Sequence, residues 1–343
     1  MISKTKFIID ESTVKKIFHK HGIDNITSIT PLGDGEYNAV FEIKADKSYV
    51  LKLAPDKSTP ILTYENDMMK SELYWYSQIR DNTNIIVPEI YFTDYSEAII
   101  PTQYFIMEKL DGVMRGNAKL ENHELKESTA LMLAQIHKIK SNKFGYIQNQ
   151  LYDNWYDALC SMINNLIDDA KRAGKKSSNG KKLLQYAEKY KNILINTEST
   201  MVNYDLWDGN VICRKKQDGK TEFCWIDPER SFWGDRIFDF ICVDNNPVFN
   251  LKSKQKTIDI YNLQAEKPIE INRENEIRYA FAQGLIALVQ EVEKYYRYTP
   301  PSLRLVEKCF ILHSYIQSCI QGTEKWINQK TKLLKWEQNP FRS

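Results

Sequence analysis

The chain has 343 residues, with 47 Lys and Arg against 45 Asp and Glu and a formal net charge of +2. That length suffices for two domains and a substantial core, and the near-balance of charge gives no basic field for nucleic acid or a membrane surface. Six cysteines without a C-x-x-C pair suggest buried thiols in a reducing compartment, the histidines form no ligand cluster, and no segment resembles a signal peptide or a run of ~20 apolar residues, so a cytoplasmic protein is expected.

Ser12 to His21 has helical spacing, with Val14, Ile17 and Phe18 on one face, Ser12 as the expected N-cap and Gly22 as the stop. Ile26–Ile29 reads as a short strand. Pro31 to Asn38 then carries Gly33 and Gly35, and two glycines between strands let backbone N–H groups approach a phosphate; an ordinary hairpin turn is the competing reading. Ala39–Lys44 and Ser48–Leu53 alternate as a hairpin around Asp46-Lys47. Lys52, flanked by Leu51 and Leu53, projects to the opposite face from them, toward a site or toward solvent. Asn66–Arg80 is strongly helical in pattern and holds Glu72 among apolar neighbours. Val87 to Phe92 begins the next strand pair, and Gln103–Glu108 reads as a buried strand running into Lys109-Leu110-Asp111-Gly112. Helices follow over Leu125–Ile139, where His137 is a packed or capping residue, over Tyr156 to Ala173 and over Leu183–Ile195, with Lys171–Lys182 as a solvated basic loop. Beyond Asp244 the pattern is mixed as far as Asn272. Glu274–Tyr298 and Ser302–Glu337 close the chain as two long helices separated by Pro300-Pro301.

The chemistry concentrates between Asn203 and Asp239, NYDLWDGNVICRKKQDGKTEFCWIDPERSFWGDRIFD. Asp205 and Asn210 share a loop. Two short apolar runs follow, Val211-Ile212-Cys213 and Phe223-Cys224-Trp225-Ile226, joined by a turn at Asp218-Gly219, and the second ends on Asp227. This order brings an Asp and an Asn beside a second Asp, the set that phosphoryl transfer requires. One carboxylate, Asp205, orients the attacking hydroxyl and accepts its proton. An amide oxygen, Asn210, and a second carboxylate, Asp227, hold Mg²⁺ against the phosphates.

At DLWDGN and WIDPERSFWGDRIFDF the chain resembles the aminoglycoside phosphotransferase and choline kinase family, whose members carry H-x-D-x-x-x-x-N, I-D-x-E and G-D-x-x-x-D segments. The usual His two residues before the base is Asn203 in this chain. The resemblance implies an α+β, bilobal protein-kinase-like fold. A small nucleotide-binding lobe of antiparallel sheet plus helix would span residues 1–108, and a larger, mostly helical catalytic and acceptor-binding lobe residues 109–343. It implies that Lys52 contacts the nucleotide phosphates and is held by Glu72, with Glu65 as runner-up. It further implies that Gly33 and Gly35 line the phosphates, that backbone groups from Glu108 to Leu110 meet the adenine ring, and that Asp239 braces the catalytic loop. Leu32, Val40, Met107 and Ile226 are candidates for the apolar slot around the base, or plain core.

The implied activity is transfer of the γ-phosphate of ATP or GTP to a hydroxyl. No A-P-E signature follows Asp227, which argues against a protein acceptor. An aminoglycoside, as a polycation, would be met by carboxylates such as Asp153, Asp157, Asp244, Glu229, Glu291 and Glu293. A choline-like cation would need an aromatic cage, for which Trp155, Tyr156, Tyr295, Tyr296 and Trp326 are available. Asp153 and Trp155 fall where the family's lower-lobe insert helps to line the cleft. Kinases of choline, ethanolamine or an amino sugar remain open as alternatives to an antibiotic kinase, as does a nucleotide-binding protein without catalysis.

Overall fold

The alternating segments near the N-terminus pair into a five-stranded antiparallel sheet. Its strands are β1 (Ser28–Pro31), β2 (Ala39–Lys44), β3 (Ser48–Leu53), β4 (Ile90–Asp94) and β5 (Tyr104–Glu108), in the order β1-β2-β3-β5-β4. The structure is a computed structural model that describes residues 3–33, 37–245 and 250–298. The central strands β3 and β5 are buried on both faces because helices cover both sides of the sheet. Ala39 and Ile43 of β2, Tyr49, Leu51 and Leu53 of β3 and Tyr104 and Ile106 of β5 pack against Val14, Ile17 and Phe18 of α1 (Glu11–Lys20). The alternate residues Val40, Val50, Phe105 and Met107 pack against Met69 and Leu73 of α2 (Met68–Asn82). Each fully buried side chain of this kind contributes about 1.5–3 kcal/mol. Lys52 lies on the α2 face and is only 3 % exposed, so the solvent-facing reading of its alternation does not hold.

The cap of α1 differs from the expectation. Asp10, not Ser12, is the N-cap: its carboxylate accepts the Thr13 amide at 2.8 Å and the Ser12 hydroxyl at 2.7 Å. A carboxylate at the positive end of the helix outcompetes a hydroxyl two residues further in.

At the far end of β4, Asp94 ties α1 to the sheet. It accepts from the Tyr104 hydroxyl at 3.0 Å, from the Ser96 amide at 2.7 Å and from the Ser96 hydroxyl at 2.6 Å, and it pairs with Lys20. Burial pushes its carboxyl up, but the bonds from Lys20, Ser96 and Tyr104 outweigh that and hold it well below the usual carboxylate range. A depressed folded pKa stabilises above the unfolded value and is lost as pH falls through the folded one. Asp94→Asn should therefore lower stability by about 2 kcal/mol at neutral pH. The difference from wild type should shrink as pH falls below about 4. Urea unfolding at both pH values checks this, and an equal loss at both would remove the carboxylate's charge as the cause.

Contacts group the described chain into two compact units. The first runs to Leu120, takes in Trp207–Ser231 and resumes at Tyr295; the second comprises Glu121–Leu206 and Phe232–Lys294. Besides the five-stranded sheet, the first unit holds a small antiparallel sheet, β6 (Val113–Met114), β8 (Val211–Lys215) and β9 (Thr221–Trp225), in the order β6-β8-β9. Gly112, at φ +133°, permits a close pass there, since a Cβ at that position would lie 2.5 Å from the Cys213 carbonyl.

The second unit is mostly helical: α3 (Asn122–Ile136), α4 (Trp155–Arg172), α5 (Ser178–Lys189), α6 (Lys191–Ile195), α7 (Gln255–Asn262) and most of α8 (Arg273–Arg297), with β7 (Thr200–Val202) pairing β10 (Phe232–Gly234). The expected loop at Lys171–Lys182 is half helix. The Ser177 hydroxyl accepts the Gly180 amide at 3.1 Å and starts α5 within that polar stretch. The closing helix expected over Ser302–Glu337 lies outside the described residues. Among the described residues no helix is long and apolar enough to cross a membrane.

Candidate active site

In the first unit, three segments meet at Lys52. The lysine extends from the α2 face of β3, and its Nζ lies 2.7 Å from Glu72 of α2, 2.6 Å from Asp227 at the end of β9, and 3.0 Å from Glu229. Glu65, the other glutamate near this helix, pairs instead with Arg297. Asn38, the first strand-side residue after the glycine segment, donates its side-chain amide to Glu229 at 2.6 Å.

The β8–β9 hairpin positions the second carboxylate. Val211 pairs with Trp225, and the Ile226 amide donates to the Asn210 carbonyl at 3.0 Å, so the residue that opens the hairpin and those that close it lie side by side. Asp227 adopts φ +62°, and its amide donates to the Tyr76 hydroxyl at 2.9 Å. Asn210 is 6 % exposed.

The electrostatics follow from three carboxylates facing one ammonium. Burial pulls the Lys52 ammonium down, but Asp227, Glu229 and Glu72 outweigh it and hold the group well above its ordinary value. Burial pushes Glu72 up to about 7 against the pull of Lys52. Burial and the neighbouring Asp227 charge push Glu229 well above the carboxylate range. Carboxylate oxygens of Glu72, Asp227 and Glu229 lie within 4.8 Å of one another. Such an oxygen-only set with excess negative charge suits a hard divalent cation, and Mg²⁺ needs only one or two of these carboxylates.

Asp205 belongs to the second unit and stands on a loop that is fixed from below. Its amide donates to the Asn203 side-chain oxygen at 2.9 Å. The Asn203 and Tyr204 amides donate to the Asp239 carboxylate at 3.0 and 2.6 Å. Asp239 also lies 3.0 Å from His137 Nε2, while His137 Nδ1 is 3.0 Å from the Tyr261 hydroxyl. Tyr204 is left-handed at φ +63°, a costly conformation for a bulky residue, and its hydroxyl donates to the Ala282 carbonyl of α8 at 2.6 Å. From Asp205 the chain passes through Leu206-Trp207-Asp208-Gly209 to Asn210.

Other expected residues fall elsewhere. Trp155 does not line a cleft: it is fully buried, stacked on Phe232 at 5.6 Å and edge-on to Phe238 at 4.9 Å. Its aromatic size, which suggested a cation cage, serves the core. Asp153 is exposed and pairs with Lys143 at 2.5 Å. Glu229, expected among acceptor carboxylates of the helical lobe, sits in the first unit on Lys52. Gly33 is left-handed at φ +68°, whereas Gly35 and the side chain of Asp244 lie outside the described residues. At the end of β5 the Glu108 amide donates to the Glu89 carbonyl at 2.8 Å, and Leu110 is buried against Ile212 and Cys224, beside Ile226. Sequence reasoning missed Tyr76 and Asn38. Tyr76 sits one helical turn beyond Glu72, a spacing that puts both on one face of α2.

The model of the phosphotransferase enzyme family matches residues 28–247. Among curated proteins, none matches the chain by sequence. A candidate aminoglycoside phosphotransferase from Ralstonia eutropha JMP134 is similar in structure at 15 % identity, with a TM-score of 0.60 over 92 % of this chain and 98 % of that one. ADP-bound aminoglycoside phosphotransferase APH(2'')-Ib is similar at 16 % identity and a TM-score of 0.55, over 92 % and 99 % of the two chains. A thermostable mutant of aminoglycoside phosphotransferase APH(4)-Ia, in ternary complex with AMP-PNP and hygromycin B, gives 17 % identity and a TM-score of 0.55 over 91 % and 98 %. The fold is the α+β, protein-kinase-like fold of these enzymes. The match of the family model, over most of the chain, goes further than fold: this chain belongs to the phosphotransferase enzyme family, enzymes that transfer phosphate to hydroxyl groups.

Proposed function

We propose that the chain transfers the γ-phosphoryl group of ATP or GTP to a hydroxyl of an aminoglycoside-like acceptor, with Asp205 as the base. The observation that carries this reading is the buried Lys52, held between Glu72 at 2.7 Å and Asp227 at 2.6 Å. A lysine so placed is an always-charged partner for nucleotide phosphates. Leu32, Val40 and Met107, on the same face of the sheet, and Ile226 beside Leu110 supply apolar surface for the base. Gly33 supplies a backbone without a side chain where the phosphates approach. Asn210 and Asp227 would hold Mg²⁺, which when bound offsets the charge of the phosphates. The acceptor oxygen attacks the γ-phosphorus, the bond to the bridging oxygen breaks, the nucleoside diphosphate leaves, and the hydroxyl proton passes to the Asp205 carboxylate.

A polycationic acceptor is favoured over a choline-like one by what the second unit offers. Asp153 and Asp157 are exposed, while Trp155 is buried and the Tyr156 ring already carries the Lys191 ammonium 4.6 Å from its centroid. The structurally similar enzymes are aminoglycoside phosphotransferases by name. A coupled assay with Mg²⁺, ATP or GTP and a panel of aminoglycosides, choline, ethanolamine and amino sugars tests the reading. Turnover is expected with at least one aminoglycoside at a KM of micromolar order. Turnover with choline, ethanolamine or an amino sugar alone would replace the acceptor class, and nucleotide binding without any acceptor-dependent turnover would overturn catalysis.

A further inference from the structure

Asp227 is held in an uncommon backbone state by a group outside its own hairpin. At φ +62° it occupies the left-handed region, which Asp enters more readily than most side chains but still uncommonly. Its neighbour Ile226 is fixed by the Asn210 carbonyl at 3.0 Å. Its own amide meets the Tyr76 hydroxyl at 2.9 Å, and Tyr76 is fully buried, so water is not available to replace that bond. Tyr76 lies on α2 one turn after Glu72, so the two project from one face of the helix. Glu72 binds Lys52, and Lys52 binds the Asp227 carboxylate. Both holds on Asp227 therefore run back to α2: its amide to Tyr76, and its carboxylate through Lys52 to Glu72.

We propose that Tyr76 is a positioning residue, one whose hydroxyl sets the backbone of Asp227 and so aims its carboxylate for a divalent cation. This rests on the reading of Asp227 as a metal ligand. One helix thus controls both charges at the nucleotide: Glu72 orients the lysine and Tyr76 the aspartate. Any shift of α2 releases both together.

The test compares binding of AMP-PNP with and without Mg²⁺, by calorimetry on the full chain, for wild type and Tyr76→Phe. The substitution deletes one oxygen and keeps the ring in the core. It should weaken Mg·AMP-PNP about tenfold and raise the half-saturating Mg²⁺ concentration by a similar factor, and leave metal-free AMP-PNP affinity within twofold. A merely structural role would lower both affinities alike or neither, and either result overturns the proposal. Asp227→Asn is the control. If it too leaves Mg²⁺ dependence unchanged, Asp227 is not a metal ligand and the reading beneath the proposal fails with it; if only Tyr76→Phe is silent, the ligand assignment stands and Tyr76 alone is refuted. Should Tyr76→Phe not fold, hydrogen exchange of the wild-type peptide containing residue 227 still decides. Protection of that amide supports the bond, and exchange as fast as in the Arg214–Lys220 turn overturns it.

Discussion

Asp205→Asn lowers kcat by about 10²-fold or more, while the dissociation constant for the Mg-nucleotide stays within about threefold of wild type. The asymmetry follows from where the residue stands. Its backbone is fixed through Asn203, and through Asp239, which takes the amides of Asn203 and Tyr204 at 3.0 and 2.6 Å. The amide cap on Asn203 uses the Asp205 backbone, so the substitution keeps the loop and removes only a proton-accepting carboxylate. Lys52, Glu72 and Asp227, which the reading assigns to the nucleotide, belong to the other unit. A general base contributes in the transition state, so its loss appears in kcat and not in ground-state binding. Steady-state kinetics with a saturating acceptor, together with nucleotide titration, separates the two. Wild-type turnover would remove Asp205 as the base; a matching loss of nucleotide affinity would mean that the loop had collapsed.

Some of this was legible from residue patterns and some was not, for physical reasons. The β2–β3 hairpin was readable because alternation and a tight turn are local signals, and they put Lys52 opposite Leu51 and Leu53. Alternation could not say what the lysine faces, since period two distinguishes faces and not their surroundings. Glu65 and Glu72 were both within reach of Lys52 in sequence terms; the choice was made by Arg297, which no local pattern links to Glu65. Trp155 illustrates the converse error. An aromatic beside an acidic residue looks like a recognition element, yet only packing partners from β10 and the helical segment after it, Phe232 and Phe238, reveal it as core. Asn203, where the family usually has His, reads as a weakness in the motif. The fold shows an Asn with its own work, since its side-chain oxygen caps the Asp205 amide while its backbone is taken by Asp239.

Arg297→Met lowers the stability of the first unit by about 3–5 kcal/mol. Arg297 and Glu65 are each 1 % exposed and directly paired. Glu65 also caps its own 3₁₀ turn by accepting the Leu62 amide at 2.8 Å. The guanidinium lies 5.1 Å from the ring centroid of Tyr37, whose hydroxyl donates to the Glu65 carbonyl at 3.0 Å. Removing the arginine leaves a carboxylate buried without its counter-charge, and that desolvation, rather than the lost attraction, dominates the cost. Adding Glu65→Gln to Arg297→Met removes the stranded charge and keeps an acceptor for Leu62, so it should recover more than half of the loss. Denaturant unfolding of the wild type, both single variants and the double variant gives the coupling energy directly. A loss below about 1 kcal/mol for Arg297→Met would place the pair among solvated surface bridges. A double variant no more stable than Arg297→Met would mean that the arginine's packing over Tyr37, not its charge, holds this part of the first unit together.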